Sequence, residues 1–184
     1  MSKAVLISIR PEWCEKIING RKTIEVRKTR PKMDTPFKCY IYCTQSADML
    51  WILKERERSL HPDKIADVFK AAKCGGAYRG NGKIIGEFTC NRVTNLFSNS
   101  RFWLDEDDVL HTCLSAAEMR KYANGANGLY GWHISNLRIY DTPRELREFY
   151  AVPNEVEVAL KVKPKPITRP PQSWRYVEEE AWND

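Results

Sequence analysis

The chain has 184 residues, of which 42% are hydrophobic and 29% charged, a composition typical of one globular domain. No apolar run approaches the roughly 20 residues of a membrane-spanning helix, which excludes an integral membrane protein of that kind. The apolar part of the opening segment 1–10 is too short for a signal peptide and is better interpreted as a strand. We therefore expect a cytoplasmic protein without a membrane partner.

The excess of positive charge is concentrated near the N-terminus. Residues 1–46 contain ten Lys and Arg against four acidic residues, an excess equal to the net charge of +6 for the whole chain. A basic region confined to one quarter of the chain favours a polyanionic partner, with a solvated basic face as the alternative.

The six cysteines include no CxxC pair and lie mostly among apolar neighbours. This spacing favours reduced thiols in a cytosolic protein and predicts no metal site and no cofactor. A zinc site of Cys39, Cys43 and His61 is the alternative, but these thiols lack a matching second pair.

The first elements in chain order are a strand, a helix and a second strand. A short β-branched run ends at a proline, which favours the first turn of a helix, and an Asn-Gly pair then supplies a helix C-cap. The following residues alternate, with Glu25 and Arg27 on the polar face of a half-buried strand. The predicted elements are a strand over 4–9, a helix from Pro11 to the cap at Asn19-Gly20, and a strand over 23–29.

The rest of the chain predicts further short strands separated by helices. Because strands and helices rarely alternate strictly, we expect an α+β fold, a mixed, mainly antiparallel β-barrel decorated with helices. A single domain over 1–184 is predicted, with a helical insert at about 47–82 and an extended, proline-rich C-terminal segment at about 162–177. The remaining predicted elements are a strand over 37–44, helices over 47–73, a glycine-rich turn over 74–83, a long strand over 83–97, a capped helix over 115–124, a strand over 129–140, a helical turn over 144–150 and a last strand over 173–177.

Three charged residues of both signs converge where the first helix becomes a strand. Lys22 lies at this corner, and Glu25 and Arg27 project from the strand below it. A lysine beside a carboxylate can be held as a hydrogen-bond donor or tuned as a base, and an arginine suits a phosphate or a base edge. Spacing alone also fits a salt-bridged strand on the surface.

The segment 7–27 resembles the signature of the ASCH family, a PUA-like barrel family with a GxKxxExR motif after a helix that starts at a proline. Gly20, Lys22, Glu25 and Arg27 occupy the four motif positions. A looser similarity places Ile85-Gly86-Glu87-Phe88 on the central strand of the family and Tyr130-Gly131-Trp132-His133-Ile134 on its late strand. The C-terminal Pro170-Pro171-Gln172-Ser173-Trp174 and the insertions resemble bacterial and prophage-encoded members.

The resemblance implies a cleft that binds RNA or a modified nucleoside or nucleotide, with Lys22, Glu25 and Arg27 on its wall. Two functions are open: a binding module, or an enzyme that uses the same residues as a metal-independent ribonuclease or as an amidohydrolase acting on acetylated cytidine. The hydrolase branch has a threonine where this chain has Glu25. In the enzymatic alternative Lys22 would therefore stabilise charge while Glu25 or Glu87 activates water.

Aromatic residues on the predicted strands could offer rings on which a base stacks, with core packing as the alternative. Tyr42 lies on one strand, and Trp132 lies on another beside His133. The residues that we assign to nucleic-acid binding are Arg10, Arg27, Lys28, Arg30, Tyr42, Trp132 and His133.

Overall fold

The computed structural model describes residues 2–60, 68–98, 101–102 and 106–179. These residues form an α+β fold. The strands are β1 (Lys3–Ile9), β2 (Ile24–Arg27), β3 (Phe37–Cys43), β4 (Trp51–Leu53), β5 (Ala77–Arg79), β6 (Ile84–Ser98), β7 (Arg101–Phe102), β8 (Gly128–Arg144) and β9 (Trp174–Glu178). The helices are α1 (Pro11–Ile18), α2 (Glu55–Leu60), α3 (Val68–Lys73), α4 (Glu106–Thr112), α5 (Ala116–Ala123) and α6 (Glu155–Ala159), with a 3-10 turn at Leu146–Glu148.

Most of the strands form one mixed, largely antiparallel sheet. Its order is β2-β8-β6-β3-β1-β9, β7 pairs with β6, and β1 runs parallel to β3. This path is open at β2 and β9, so the predicted closed barrel is wrong: within the described residues no backbone ladder joins the two edges. After β2 the chain enters a loop with two prolines, Pro31 and Pro36, which have no N–H to donate to a neighbouring strand.

Side chains bridge the gap between the two sheet edges instead. The indole nitrogen of Trp174 donates to Thr29 Oγ1 at 2.9 Å, and the backbone N–H of Lys32 donates to Tyr176 Oη at 2.7 Å. The loop that follows β2 is therefore fastened to β9, and the sheet curls without closing.

Both faces of the sheet are covered, which explains why β1 is a continuous apolar run rather than an alternating one. Val5 and Ile7 point into the main core, which also contains Cys14 and Ile17 of α1. Leu6 points to the opposite face. There it joins a second core with Ala4, Tyr40, Tyr42, Ile84, Tyr140, Phe149, Ile167 and Val177.

Part of the segment 47–73, which is predicted to be helical, forms a strand instead. Trp51–Leu53 forms the strand β4, which pairs with β5, and the short helices α2 and α3 belong to the segment between these strands. Ile52 is buried in the main core, so cross-strand pairing and burial outweigh the helical spacing of the apolar residues. His61 of the alternative zinc site lies outside the described residues.

Other elements agree with the sequence. The strands β1, β3, β6, β8 and β9 and the helices α1 and α5 are confirmed, with bounds that differ by a few residues. In the capping box of α5, Ser115 Oγ accepts from the N–H of Glu118 and the Glu118 carboxylate accepts from the N–H of Ser115. The predicted helical turn at 144–150 is the 3-10 turn, and α6 was not predicted.

None of the helices in the described part of the chain has the length and apolar character needed to cross a bilayer.

Candidate functional site

A tight turn places the motif residues at one corner of the fold. Gly20 adopts a φ of 69°, in the left-handed region that glycine favours, and turns the chain from α1 into β2. The backbone N–H of Lys22 donates to the carbonyl oxygen of Lys16, which holds this corner against the last turn of α1. Lys22 therefore lies beside Glu25 and Arg27 of β2.

The Lys22 ammonium group is buried and has an acceptor for each of its protons. Nζ donates to the carbonyl oxygens of Ile24 at 2.9 Å and Thr112 at 2.7 Å, and Glu25 Oε2 lies 3.5 Å away. Thr112 is the last residue of α4, so the cation lies at the negative end of a helix dipole. Burial lowers the pKa of Lys22 from its ordinary value, and the Glu25 carboxylate opposes this shift.

Glu25 is shared between two cations. Its Oε1 lies 2.9 Å from Arg27 Nη2, which also donates to the carbonyl oxygen of Ser8 on β1 at 2.6 Å. Arg27 Nε is buried and has no hydrogen-bond partner among the described residues. The exposed fractions of Lys22, Glu25 and Arg27 are 2%, 5% and 8%, so the polar face that the spacing predicts as solvated is buried.

These three residues, the charged floor, lie at the bottom of a cavity of about 660 Å³. This volume falls within the range of roughly 300–1,000 Å³ of small-molecule sites. Residues of α1, α5, β1 and β2 line the cavity. Three cationic side chains outside the floor also line it, and they form the basic rim: Arg10, Lys28 and Lys121.

Two aromatic rings that are absent from the predicted site residues line the cavity. Trp13 of α1 is half-buried, with Lys22 Nζ 5.2 Å from its ring centroid. Tyr122 of α5 is 38% exposed, and Lys28 Nζ lies 5.3 Å from its ring. The sequence feature that could have identified Tyr122 is its position as an aromatic residue on the polar face of α5. The buried face of that helix carries Met119 and Ala123.

The structure brings only some of the other predicted residues to the cavity. Arg10 and Lys28 are exposed and line it. Arg30 is also exposed but lines a neighbouring hollow. Among the described residues, no group of three or more His, Cys, Asp and Glu side chains is arranged to hold a metal ion.

Glu87 and Tyr42 lie away from the charged floor. Side chains alternate along β6, so Glu87 points to the face opposite Phe88 of the main core, where Tyr140 Oη donates to Glu87 Oε2 at 2.8 Å. Tyr42 is buried in the second core. Both residues were expected at the cleft, and the sheet separates them from it.

Trp132 and His133 do not line the cavity either. Trp132 is fully buried, and its ring packs at 5.7 Å from Phe37 and 5.8 Å from Trp174. No base can therefore stack on it in this arrangement. His133 points to the other face, where its ring nitrogens lie 3.0 Å from Thr94 Oγ1 and 3.3 Å from Arg92 Nη2.

Comparison with known proteins gives the family. The sequence pattern of the ASCH domain matches residues 7–157. The chain belongs to the ASCH domain family. A comparison with curated proteins finds no match.

Solved structures of an ASCH protein from Zymomonas mobilis are similar to this one. The crystal structure of that protein has a TM-score of 0.55 at 16% identity and covers 96% of this chain and 88% of its own. A mutant with a tyrosine replaced by phenylalanine has a TM-score of 0.56 at 16% identity, covering 97% and 92%. A mutant with a serine replaced by alanine has a TM-score of 0.53 at 15% identity, covering 96% and 89%. At this identity the likeness shows a shared fold.

Proposed function

We propose that this ASCH protein binds RNA and holds one nucleotide in the cavity above Lys22, Glu25 and Arg27. One observation carries the proposal: a cavity of about 660 Å³ combines a buried cationic floor with two aromatic rings. The curled, mostly antiparallel sheet is compatible with the PUA-like fold that the resemblance implies. A cytoplasmic location and a bacterial or prophage origin stay predictions.

The charge of the cavity suits a phosphate-bearing ligand. Five basic side chains line it against three acidic ones, Glu12, Glu25 and Glu118. The floor itself keeps a net positive charge, because one carboxylate lies between two cations. In a site shielded from water, such a charge attracts an anion more strongly than an exposed lysine does.

The rings suit a base. Bases of single-stranded RNA that are splayed out commonly stack on aromatic side chains, and each stacked base contributes about 1–3 kcal/mol. Trp13 and Tyr122 belong to two different helices that both line the cavity, so it offers two rings for a base to stack on.

Arg27 supplies an unused donor. Its Nε is buried without a partner among the described residues, and an unpaired buried donor costs about 1–3 kcal/mol. Because Nε is buried, a base edge or a phosphate oxygen in the cavity would satisfy it only after the Arg27 side chain shifts.

The same contacts favour binding over the hydrolytic alternative. In that alternative Glu25 or Glu87 activates water, but both carboxylate oxygens of Glu25 are engaged in ion pairs with Lys22 and Arg27. Glu87, the second carboxylate of that alternative, is on the other face of the sheet.

The proposal is tested with a labelled mixed-sequence RNA hexanucleotide and fluorescence anisotropy. Tyr122→Leu is expected to weaken binding by about 10-fold, because a stacking ring is lost. Tyr150→Leu is the matched control, since Tyr150 is similarly exposed at 42% and does not line the cavity. If the wild type does not bind, or if the two variants bind equally, the proposal is wrong.

A further inference from the structure

A second hollow of about 470 Å³ adjoins the cavity. It is formed by the loop 28–32 and by Tyr130 of β8. Lys28 lines both spaces, so they are adjacent and share one cation. We call this second space the loop hollow.

The loop hollow has the chemistry of a nucleic-acid contact. It is lined by the cations Lys28, Arg30 and Lys32 together with Tyr130, and no acidic side chain in the described part of the chain lines it. The Arg30 guanidinium lies 6.0 Å from the centroid of the Tyr130 ring. Cations beside an aromatic ring are the combination with which proteins hold the backbone and bases of a single strand.

The loop hollow is held in register with the charged floor. Tyr130 pairs directly with Arg27 in the antiparallel ladder of β8 and β2, and directly paired residues share one face of a sheet. The loop itself is fastened at both ends of its basic run, by the bonds from Trp174 to Thr29 and from Lys32 to Tyr176. A loop fixed in this way loses little conformational entropy when a ligand binds.

We propose that the loop hollow is a second subsite, which takes the neighbouring nucleotide of a single-stranded RNA. Lys28 contacts the phosphate between the two nucleotides, Tyr130 receives the second base, and Arg30 and Lys32 hold the backbone beyond it. The inference rests on the proposed function of the cavity. It identifies the ligand as single-stranded RNA, because a free mononucleotide in the cavity would leave the loop hollow empty.

The experiment compares a ribonucleoside monophosphate with an RNA hexanucleotide by calorimetry, for the wild type and Arg30→Gln. We expect the hexanucleotide to bind the wild type more tightly than the monophosphate does. Arg30→Gln is expected to weaken hexanucleotide binding about 5-fold and to leave the affinity for the monophosphate unchanged. The slope of log affinity against log salt for the hexanucleotide should fall by about 0.7. Arg147→Gln is the matched control, because this exposed arginine lines neither space.

A second variant tests the ring. Tyr130→Leu, checked for an unchanged circular dichroism spectrum, is expected to weaken the hexanucleotide and not the monophosphate. If the wild type binds both ligands equally and neither variant changes the hexanucleotide, the second subsite is wrong and the cavity proposal stands. If Arg30→Gln weakens both ligands to the same degree, Arg30 belongs to the first site and the inference is also wrong. If the wild type binds neither ligand, the proposed function itself fails.

Discussion

The charged floor and the basic rim contribute charges of the same kind to one cavity, but different surroundings hold them. Lys22, Glu25 and Arg27 are each less than a tenth exposed and are bonded to one another and to backbone carbonyls. Arg10 and Lys28 of the rim are exposed to solvent. Most of the hydrogen-bonding capacity of the floor is therefore used within the protein, whereas the rim can give its full capacity to a ligand.

This difference separates two effects of substitution. A change in the floor alters the folded structure, because it leaves a buried charge or carbonyl without its partner. A change in the rim alters binding and leaves the fold intact. The floor thus shapes the site and the rim attracts what enters it.

The largest expected effect is on stability, from Glu25→Gln. This change removes the only negative charge between Lys22 and Arg27 in the floor and leaves two buried cations facing each other. We expect the free energy of unfolding, measured by urea denaturation, to fall by about 3–5 kcal/mol. Glu12→Gln lines the same cavity but is exposed, and its effect should stay within about 0.5 kcal/mol. Equal effects of the two changes would mean that burial in the floor gives Glu25 no special role in stability.

Lys22→Met should also destabilise the protein, but less. The carbonyl oxygens of Ile24 and Thr112 lose their common donor, which links the turn before β2 to the end of α4, while Glu25 keeps its ion pair with Arg27. We expect a loss of about 2 kcal/mol in the same denaturation assay. Lys121→Met, a rim lysine that is exposed, serves as the control and should leave the midpoint unchanged. A midpoint that Lys22→Met does not move would mean that the buried bonds contribute no net stability.

The rim gives the opposite pattern. Lys28→Gln should leave the denaturation midpoint unchanged but reduce RNA affinity, because Lys28 is exposed and lines both the cavity and the loop hollow. The plot of log affinity against log salt is expected to lose about 0.7 of its slope, the contribution of one phosphate contact on a single strand. Lys163→Gln, an exposed lysine outside both spaces, should leave the slope unchanged.

The smallest expected effect concerns His133, which belongs to neither set. Burial, followed by the nearby Arg92 guanidinium, lowers the pKa of His133 below its ordinary value, while Asp108 opposes the shift. Below about pH 6.5 the unfolded chain therefore takes up a proton on His133 before the folded chain does, and stability falls as the pH decreases through that window. His133→Gln should make the urea midpoint less sensitive to pH. The assay compares pH 7.5 with pH 5.5, about one unit on either side of the ordinary pKa of histidine. An unchanged pH dependence would contradict the shift.

Much of the motif region was predictable because local rules determine it. The proline at the start of α1, the turn at Gly20 and the alternation of β2 are all short-range features, and each is present. The burial of Glu25 and Arg27 was not predictable, because β2 packs against α4, which is distant in the chain. A periodicity of two shows which side chains share a face, but it does not show what covers that face.

The same limit explains the aromatic residues. Trp132 and Tyr42 lie on strands, as predicted, but a sheet covered on both faces buries the rings of both sides. The aromatic rings that line the cavity belong instead to helices, Trp13 to α1 and Tyr122 to α5. The prediction of a closed barrel was wrong for a related reason. The number of strands and their alternation do not determine whether the two edge strands of a sheet meet.

Ser8 gives the GxKxxExR motif a dependence on the far end of the chain. The carbonyl oxygen of Ser8 accepts a hydrogen bond from Arg27. The Ser8 N–H donates to the carbonyl oxygen of Ser173, and the Ser8 hydroxyl donates to the carbonyl oxygen of Pro171 at 2.6 Å. The family pattern ends at residue 157, so the segment that anchors this serine lies beyond it. Two ASCH proteins with identical motifs can therefore orient the arginine differently when their C-terminal tails differ, and a shared signature does not guarantee a shared ligand.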